Sequence, residues 1–177
     1  MSRELYNILI NGNYFTHSIG KVYDKDIFIK LENIFKLSGL YSKEALRKIG
    51  FNIEGRVSGH IRMTKDYYVS LFDPSGFNLE KKMLSPKFSD FFPLSLDDIV
   101  FLVDNSIEFC ENSKRHDFDY HEIVVKNKVP FDYIFAIVIP NLESVKEVLA
   151  TLIERYEIDI IIYDFDGNEL NLHKKGR

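Results

Sequence analysis

The sequence predicts an α+β domain, and three observations carry that expectation. Apolar residues recur at helical spacing in two long stretches, 26–37 and 141–156. Shorter runs rich in Val, Ile, Phe and Tyr, at 13–19, 66–72, 98–103, 122–125, 133–139 and 158–163, have the length and composition of strands. The last third reads as strand, helix, strand, the unit that brings a chain back onto one sheet by a right-handed crossover. Helices thus fall mostly in the N-terminal half and near the end, around a strand-rich middle.

Each element has a local cause. Asn11-Gly12 is a turn that sets up the strand 13–19. Ile27, Leu31, Ile34 and Phe35 fall at i, i+4, i+7 and i+8, one face of a helix, with Gly39 as its C-terminal cap. Leu40-Tyr41 is extended, and Ser42 caps a short helix with Glu44 in its first turn. The stretch 51–61 has little periodicity and reads as a loop. The strand 66–72 closes at Asp73-Pro74-Ser75-Gly76, and 77–96, with Pro86 and Pro93, is irregular. Residues 98–103 (DIVFLV) have the pattern of a buried strand. Two more strands, 122–125 and 133–139, are joined by a turn around Asn127 and Pro130. In the helix 141–156, Leu142, Val145, Val148, Leu149, Leu152 and Ile153 share one face.

Composition bounds the function. The chain has 177 residues, 45% hydrophobic and 28% charged, enough for one core, and no stretch reads as a linker; a single domain over 1–177 is expected. With 23 basic and 27 acidic residues the net charge is −4, so a nucleic acid could be gripped only by a local basic patch. One cysteine, Cys110, excludes an internal disulfide and any multi-cysteine zinc site. No apolar run approaches the roughly 18 residues that cross a bilayer. The N-terminus lacks the apolar segment of a secretory signal, so a soluble, cytoplasmic protein with no membrane partner is expected. No GxxxxGK[ST], GxGxxG or GxSxG occurs, which removes support for phosphate-loop, Rossmann and serine-hydrolase chemistry.

Two polar segments invite a metal reading. If 115–122 (RHDFDYHE) is extended, Asp117, Asp119 and His121 share one face, but no distant ligand of matching spacing accompanies them. A solvent-facing edge entering a strand explains them better, and no metal is expected. DFDGNE at 164–169 lacks the regular ligands of a calcium loop and reads as a turn after a strand. Glu122 is different: it heads an otherwise apolar strand, where a carboxylate must find donors or face a cleft.

Three segments in order resemble the ADP-ribosyltransferase fold. Tyr14-Phe15-Thr16-His17-Ser18, then a helix and Leu37-Ser38-Gly39-Leu40-Tyr41-Ser42, is similar to the family's opening strand and the Ser-Gly-Leu stretch of bacterial members. Asp66-Tyr67-Tyr68-Val69-Ser70-Leu71 resembles its central aromatic-and-serine strand. Tyr120-His121-Glu122-Ile123-Val124-Val125, with Val129-Pro130 and the next strand, resembles the strand of the catalytic glutamate. Together they span 14–140, and the Tyr-Asp-x-x-Gly-Asn end also recurs in bacterial toxins of this type. The nearest flavour is the bacterial toxin and DNA-targeting branch. The resemblance implies an ADP-ribosyltransferase-like split, antiparallel-rich sheet with flanking helices and a C-terminal strand-helix-strand.

It also implies NAD as the cosubstrate. Cleavage of the nicotinamide–ribose bond passes through an oxocarbenium-like state, which a carboxylate against the ribose stabilises. By resemblance Glu122 would hold the 2′-hydroxyl of the nicotinamide ribose, with Ser70 supporting it. His17, with Thr16 or Ser18, would bind the adenosine-side ribose. Tyr67 or Tyr68 would stack on nicotinamide, and alternation, which puts Tyr68 on the side of Ser70, favours Tyr68. Tyr120, Arg56 and Arg62 would meet the target. Arginine-modifying members carry Glu or Gln two positions before the catalytic glutamate, and Tyr120 stands there instead, which points away from an arginine acceptor. The central strand offers one hydroxyl where the family often has three, and no Gly-Thr follows His17.

The expected function is mono-ADP-ribosylation of a protein or nucleic acid, in a toxin or phage-conflict setting with a possible antitoxin or immunity partner. An NAD hydrolase or an RNA 2′-phosphotransferase of the same fold is an alternative. The latter would draw its phosphate site from Arg47, Lys48, Arg56, Arg62 and Lys65. A non-catalytic binding or immunity protein is the alternative from another class.

Overall fold

The computed structural model describes residues 2–53, 66–76, 96–115 and 121–172. Within them the N-terminus holds an element that the sequence reading left out, the helix Arg3–Ile10 (α1). Its cause is local. The Ser2 side chain accepts from the Leu5 amide at 3.1 Å and caps the first turn. Leu5, Tyr6 and Leu9 then form a buried stripe.

The strands follow as β1 (Tyr14–Lys21), β2 (Gly39–Tyr41), β3 (Tyr68–Phe72), β4 (Asp98–Asp104), β5 (Ser113–Arg115), β6 (Glu122–Lys126), β7 (Lys128–Pro130), β8 (Ile134–Ile139) and β9 (Ile161–Asp164). Between them lie the helices α2 (Ile27–Leu37), α3 (Lys43–Lys48) and α4 (Glu143–Arg155). Among the described residues seven strands form one sheet in the order β5-β6-β3-β1-β4-β8-β9, and β2 pairs with β7 in a small second sheet. All neighbours run antiparallel except β8 and β9, which the crossover through α4 makes parallel.

The core lies on both faces of β4, which explains why 98–103 lacks alternation. Ile99, Phe101 and Val103 join α2 and α4 (Leu31, Phe35, Val145, Leu149) in the larger cluster. Val100 and Leu102 face α1 through Leu5 and Leu9, together with Ala136 and Val138 of β8. Sheets covered on both faces read as continuous apolar runs. Without α1 the second cluster would face water.

Several boundaries differ from the sequence reading. The residue that ends α2 in the left-handed region is Ser38 (φ 56°), not Gly39. Gly39 is required for another reason: a Cβ there would lie 2.7 Å from the Val129 carbonyl oxygen across the β2–β7 pair. The turn expected around Asn127 and Pro130 contains a strand, β7, because Asn127 takes φ 71° and re-aims the chain toward β2. Helix α4 begins at Glu143 rather than 141, and β9 begins at Ile161 rather than 158, after Glu157 at φ 52°. The short edge strand β5 was not anticipated; three residues are too few for a period. The DFDGN segment is a turn, as expected. Buried Asp164 accepts from the Asp166 amide at 2.9 Å and the Asn168 amide at 3.0 Å.

One feature positions the candidate site. β1 pairs with β4 along its whole length, from Tyr14↔Asp104 to Lys21↔Asp98, and β3 pairs with β6 from Tyr68↔Lys126 to Phe72↔Glu122. Between β1 and β3 there is one registered pair, Thr16↔Phe72. The sheet is therefore nearly divided into a β5-β6-β3 part and a β1-β4-β8-β9 part.

Candidate active site

Glu122 stands at the N-terminal end of β6, directly across from Phe72 at the last pair of the β3–β6 ladder. Ser70, two residues back on β3, shares its face. The Ser70 hydroxyl donates to Glu122 Oε2 at 2.8 Å. This is the donor that a carboxylate heading an apolar strand must find. A bond to an ionised acceptor is stronger than a neutral one, and it fixes the carboxylate's orientation while leaving Oε1 its acceptor sites.

Ser70 also links this pair to β1. Continuing the register from Thr16↔Phe72 would put Ser18 opposite Ser70, but the ladder has ended there. A bulge between Ser18 and Gly20, with Gly20 at φ 130° and the Ser18 hydroxyl accepting from the Gly20 amide at 3.3 Å, turns the β1 backbone away. The His17 ring takes the vacated bond: Nδ1 lies 2.8 Å from the Ser70 carbonyl oxygen. A carbonyl only accepts, so Nδ1 carries the proton and Nε2 holds the lone pair of the neutral ring. Burial pushes the His17 pKa below its ordinary value of 6.5, against the opposing pull of that carbonyl.

Thr16 is buried at the junction of the two parts of the sheet. Tyr67 and Tyr68 are half-buried. Tyr68 shares the face of Ser70, as alternation requires, but it pairs with Lys126, four residues along β6 from Glu122. At about 3.3 Å per residue that is about 13 Å. The ammonium of Lys114 lies 5.4 Å from its ring centroid. The aromatic side chain opposite the carboxylate is Phe72, with the His121 ring tilted against it at 5.8 Å. Tyr120, Arg56 and Arg62 lie outside the described residues, as do Asp117, Asp119 and Lys65.

Sequence reasoning missed the brace at this end of the sheet. Arg115 on β5 reaches Asp73 Oδ2 at 3.2 Å and Glu108 Oε1 at 2.9 Å. The Asp73 amide donates to the His121 carbonyl at 2.6 Å, one step beyond the Phe72↔Glu122 pair. Partners 42 and 7 residues away leave no local pattern to read. Arg47, a candidate for a phosphate site, is committed internally: it pairs with Glu44 at 3.3 Å and Asp66 at 3.5 Å, and its Nε donates to the Ile53 carbonyl at 3.0 Å. Cys110 is half-buried, with Sγ 2.7 Å from the Tyr133 hydroxyl. Among the described residues no group of three His, Cys, Asp or Glu could hold a metal ion, and no helix is long and apolar enough to cross a membrane.

This architecture, a large, mostly antiparallel sheet with flanking helices and a parallel strand-helix-strand at its C-terminal end, is the ADP-ribosyltransferase fold. Among solved structures the chain is similar to DarT of Thermus sp. 2.9, a DNA-targeting ADP-ribosyltransferase. Against its complex with NAD+ the TM-score is 0.50 at 9% identity, over 88% of this chain and 96% of that one. Against the complex with carba-NAD+ the values are 0.51 and 10%, over 88% and 97%. Against DarT with ADP-ribosylated single-stranded DNA they are 0.51 and 8%, over 88% and 95%. At such identities the likeness is one of fold. No protein-family model and no curated protein matches the chain.

Proposed function

We propose that this protein is an NAD-dependent ADP-ribosyltransferase whose catalytic carboxylate is Glu122 and whose acceptor is a nucleic acid. The observation that carries the reading is the relay through Ser70: its hydroxyl holds Glu122 and its carbonyl holds His17, on three consecutive strands of which β3 and β1 flank the division of the sheet. The acceptor class is supported by the fold-neighbour whose complex contains ADP-ribosylated single-stranded DNA.

In this reading the bond between the nicotinamide nitrogen and the ribose C1′ breaks, and its electron pair leaves with nicotinamide. Positive charge appears on the ribose only in the transition state, so a fixed carboxylate there lowers the barrier rather than tightening ground-state binding. Glu122 Oε1 accepts from the ribose 2′-hydroxyl while Ser70 keeps Oε2 in place. The acceptor then attacks C1′, forming the new bond as nicotinamide's is lost, and its proton passes to water. The neutral His17 ring, fixed as the Nδ1–H tautomer, offers Nε2 as an acceptor to the adenosine-side ribose, with Ser18 rather than the buried Thr16 as the neighbouring hydroxyl. Phe72, across from Glu122, offers nicotinamide an aromatic face closer to the carboxylate than Tyr68 does, and Tyr120, Arg56 and Arg62 meet the target.

Labelled NAD incubated with the pure protein, with and without single-stranded oligonucleotides, tests this. Nicotinamide release and label on the oligonucleotide are expected, and Glu122→Gln should lower release at least about 100-fold. Release by that variant at the parental rate overturns the assignment. Label only on free ADP-ribose identifies an NAD hydrolase, and label only on protein moves the acceptor class. A folded parent that neither binds nor cleaves NAD is a non-catalytic partner such as an immunity protein.

A further inference from the structure

We infer that the corner where β6 passes into β7 is a docking surface for single-stranded nucleic acid; this rests on the acceptor class proposed above. Asn127 forms the corner at φ 71°. Its amide donates to the Tyr67 carbonyl at 3.1 Å and its carbonyl accepts from the Ser42 amide at 2.7 Å. Those two bonds hold the main chain next to Tyr68 and next to Tyr41 against the same corner residue. On either side of Asn127 the chain presents a lysine opposite each tyrosine: Lys126 pairs with Tyr68, and Lys128 with Tyr41.

The chemistry of the corner is repeated. Lys114 Nζ lies 5.4 Å over the Tyr68 ring, and Lys128 Nζ lies 5.4 Å over the Tyr41 ring. Lys114, Lys126 and Lys128 are all exposed, and none forms an ion pair among the described residues. In a chain of net charge −4, three ammonium groups around two aromatic rings, with no carboxylate partner among the described residues, are a concentrated exception. The rings are half-buried but the ammonium groups over them are exposed to water, so each is weakly held. A phosphate draws it away by charge, and the uncovered ring face accepts a base. Cationic groups that follow a backbone and aromatic faces that stack bases are the two parts of a single-strand site. Lys126 also shares its face of β6 with Glu122, about 13 Å along the strand, so a strand held at the corner can present its next residues to the carboxylate.

The test is fluorescence anisotropy with a labelled mixed-sequence single-stranded oligonucleotide, its duplex, and poly-glutamate, across a salt series. The single strand should bind more tightly than the other two. Lys114→Glu/Lys126→Glu/Lys128→Glu should weaken it at least about tenfold, and removing three phosphate contacts should flatten the log–log salt slope by about two. Tyr41→Leu should weaken binding and leave the slope unchanged. The milder Lys114→Gln/Lys126→Gln/Lys128→Gln, checked by circular dichroism, guards against misfolding and should follow the same direction. Unchanged affinity and slope in both lysine variants overturn the proposal, as does poly-glutamate bound more tightly than the oligonucleotide, which would mark an acidic protein partner. Nicotinamide release with water as acceptor should persist in the lysine variants. If the parent binds the oligonucleotide through these lysines yet cleaves no NAD, the catalytic reading fails and the docking surface stands.

Discussion

Ser70 joins two partners with different parts of itself, and its replacement separates them. Ser70→Ala removes the hydroxyl that holds Glu122 and keeps the carbonyl that holds His17. A hydrogen bond to a charged group is worth about 1.5–3 kcal/mol, so the turnover of NAD should fall about tenfold or more with little change in KM. A larger rise in KM than fall in kcat would place Ser70 in substrate binding instead. His17 makes a separate prediction through its lowered pKa. The unfolded chain protonates near 6.5 while the folded ring stays neutral to lower pH, so the unfolded state binds more protons in that window. The contribution of the neutral ring is fully present above about 6.5 and is lost as pH falls toward the folded value. The melting-temperature gap between the parent and His17→Gln should therefore narrow from pH 7.5 to pH 5.5, values set about one unit either side of the ordinary histidine pKa. A gap that widens would show that His17 is held in its charged form. Glu122 and Ser70 were legible in the sequence, one as an acid heading an apolar run, the other by strand alternation. The link from His17 was not. Alternation from Thr16↔Phe72 would send its side chain to the other face of the sheet, but the ladder ends at that pair and the ring reaches across to the main chain of Ser70.

At the scale of elements, α1 shows what a local reading lost and why. Its eight residues make barely two turns, too short to be stable alone, and its stability comes from docking on β4 and β8. The Ser2 cap and the Leu5, Tyr6, Leu9 stripe were present in the sequence, but nothing near them tells that a second sheet face needs covering. Leu9→Ala should cost about 3 kcal/mol in urea unfolding, as a buried leucine truncation does. A cost below about 0.5 kcal/mol would mean that α1 frays free of the sheet in solution. The strongly periodic helix α2 and the strands β1, β4, β6 and β8 were read close to their observed bounds because each is long or apolar enough to carry its own signal. Gly39 was read as the cap of α2, a role that Ser38 fills, and what requires a glycine there is the close β2–β7 pair. Gly39→Ala should destabilise by about 1–3 kcal/mol through the clash with Val129, whereas Ser38→Gly, at the left-handed position, should be neutral or stabilising.

For the whole molecule, the order of the strands could not be read from the sequence, since pairing across long separations leaves no periodic trace. β1 lies at the centre although it is first in the chain, and β5 at the edge although it is near the middle. What decides the behaviour of the assembled sheet is its seam: among the described residues, one registered strand pair and one imidazole link the two halves within the sheet, at Thr16↔Phe72 and His17. A dinucleotide that touched Glu122 on one half and His17 on the other would act as a staple across that seam. Calorimetry with a non-cleavable NAD analogue should then raise the unfolding midpoint in proportion to the logarithm of analogue concentration, as mass action requires. The amides flanking Ser70 and His17 should gain more protection from deuterium than those of β8 or β9, because the stitching is loosest where the staple goes in.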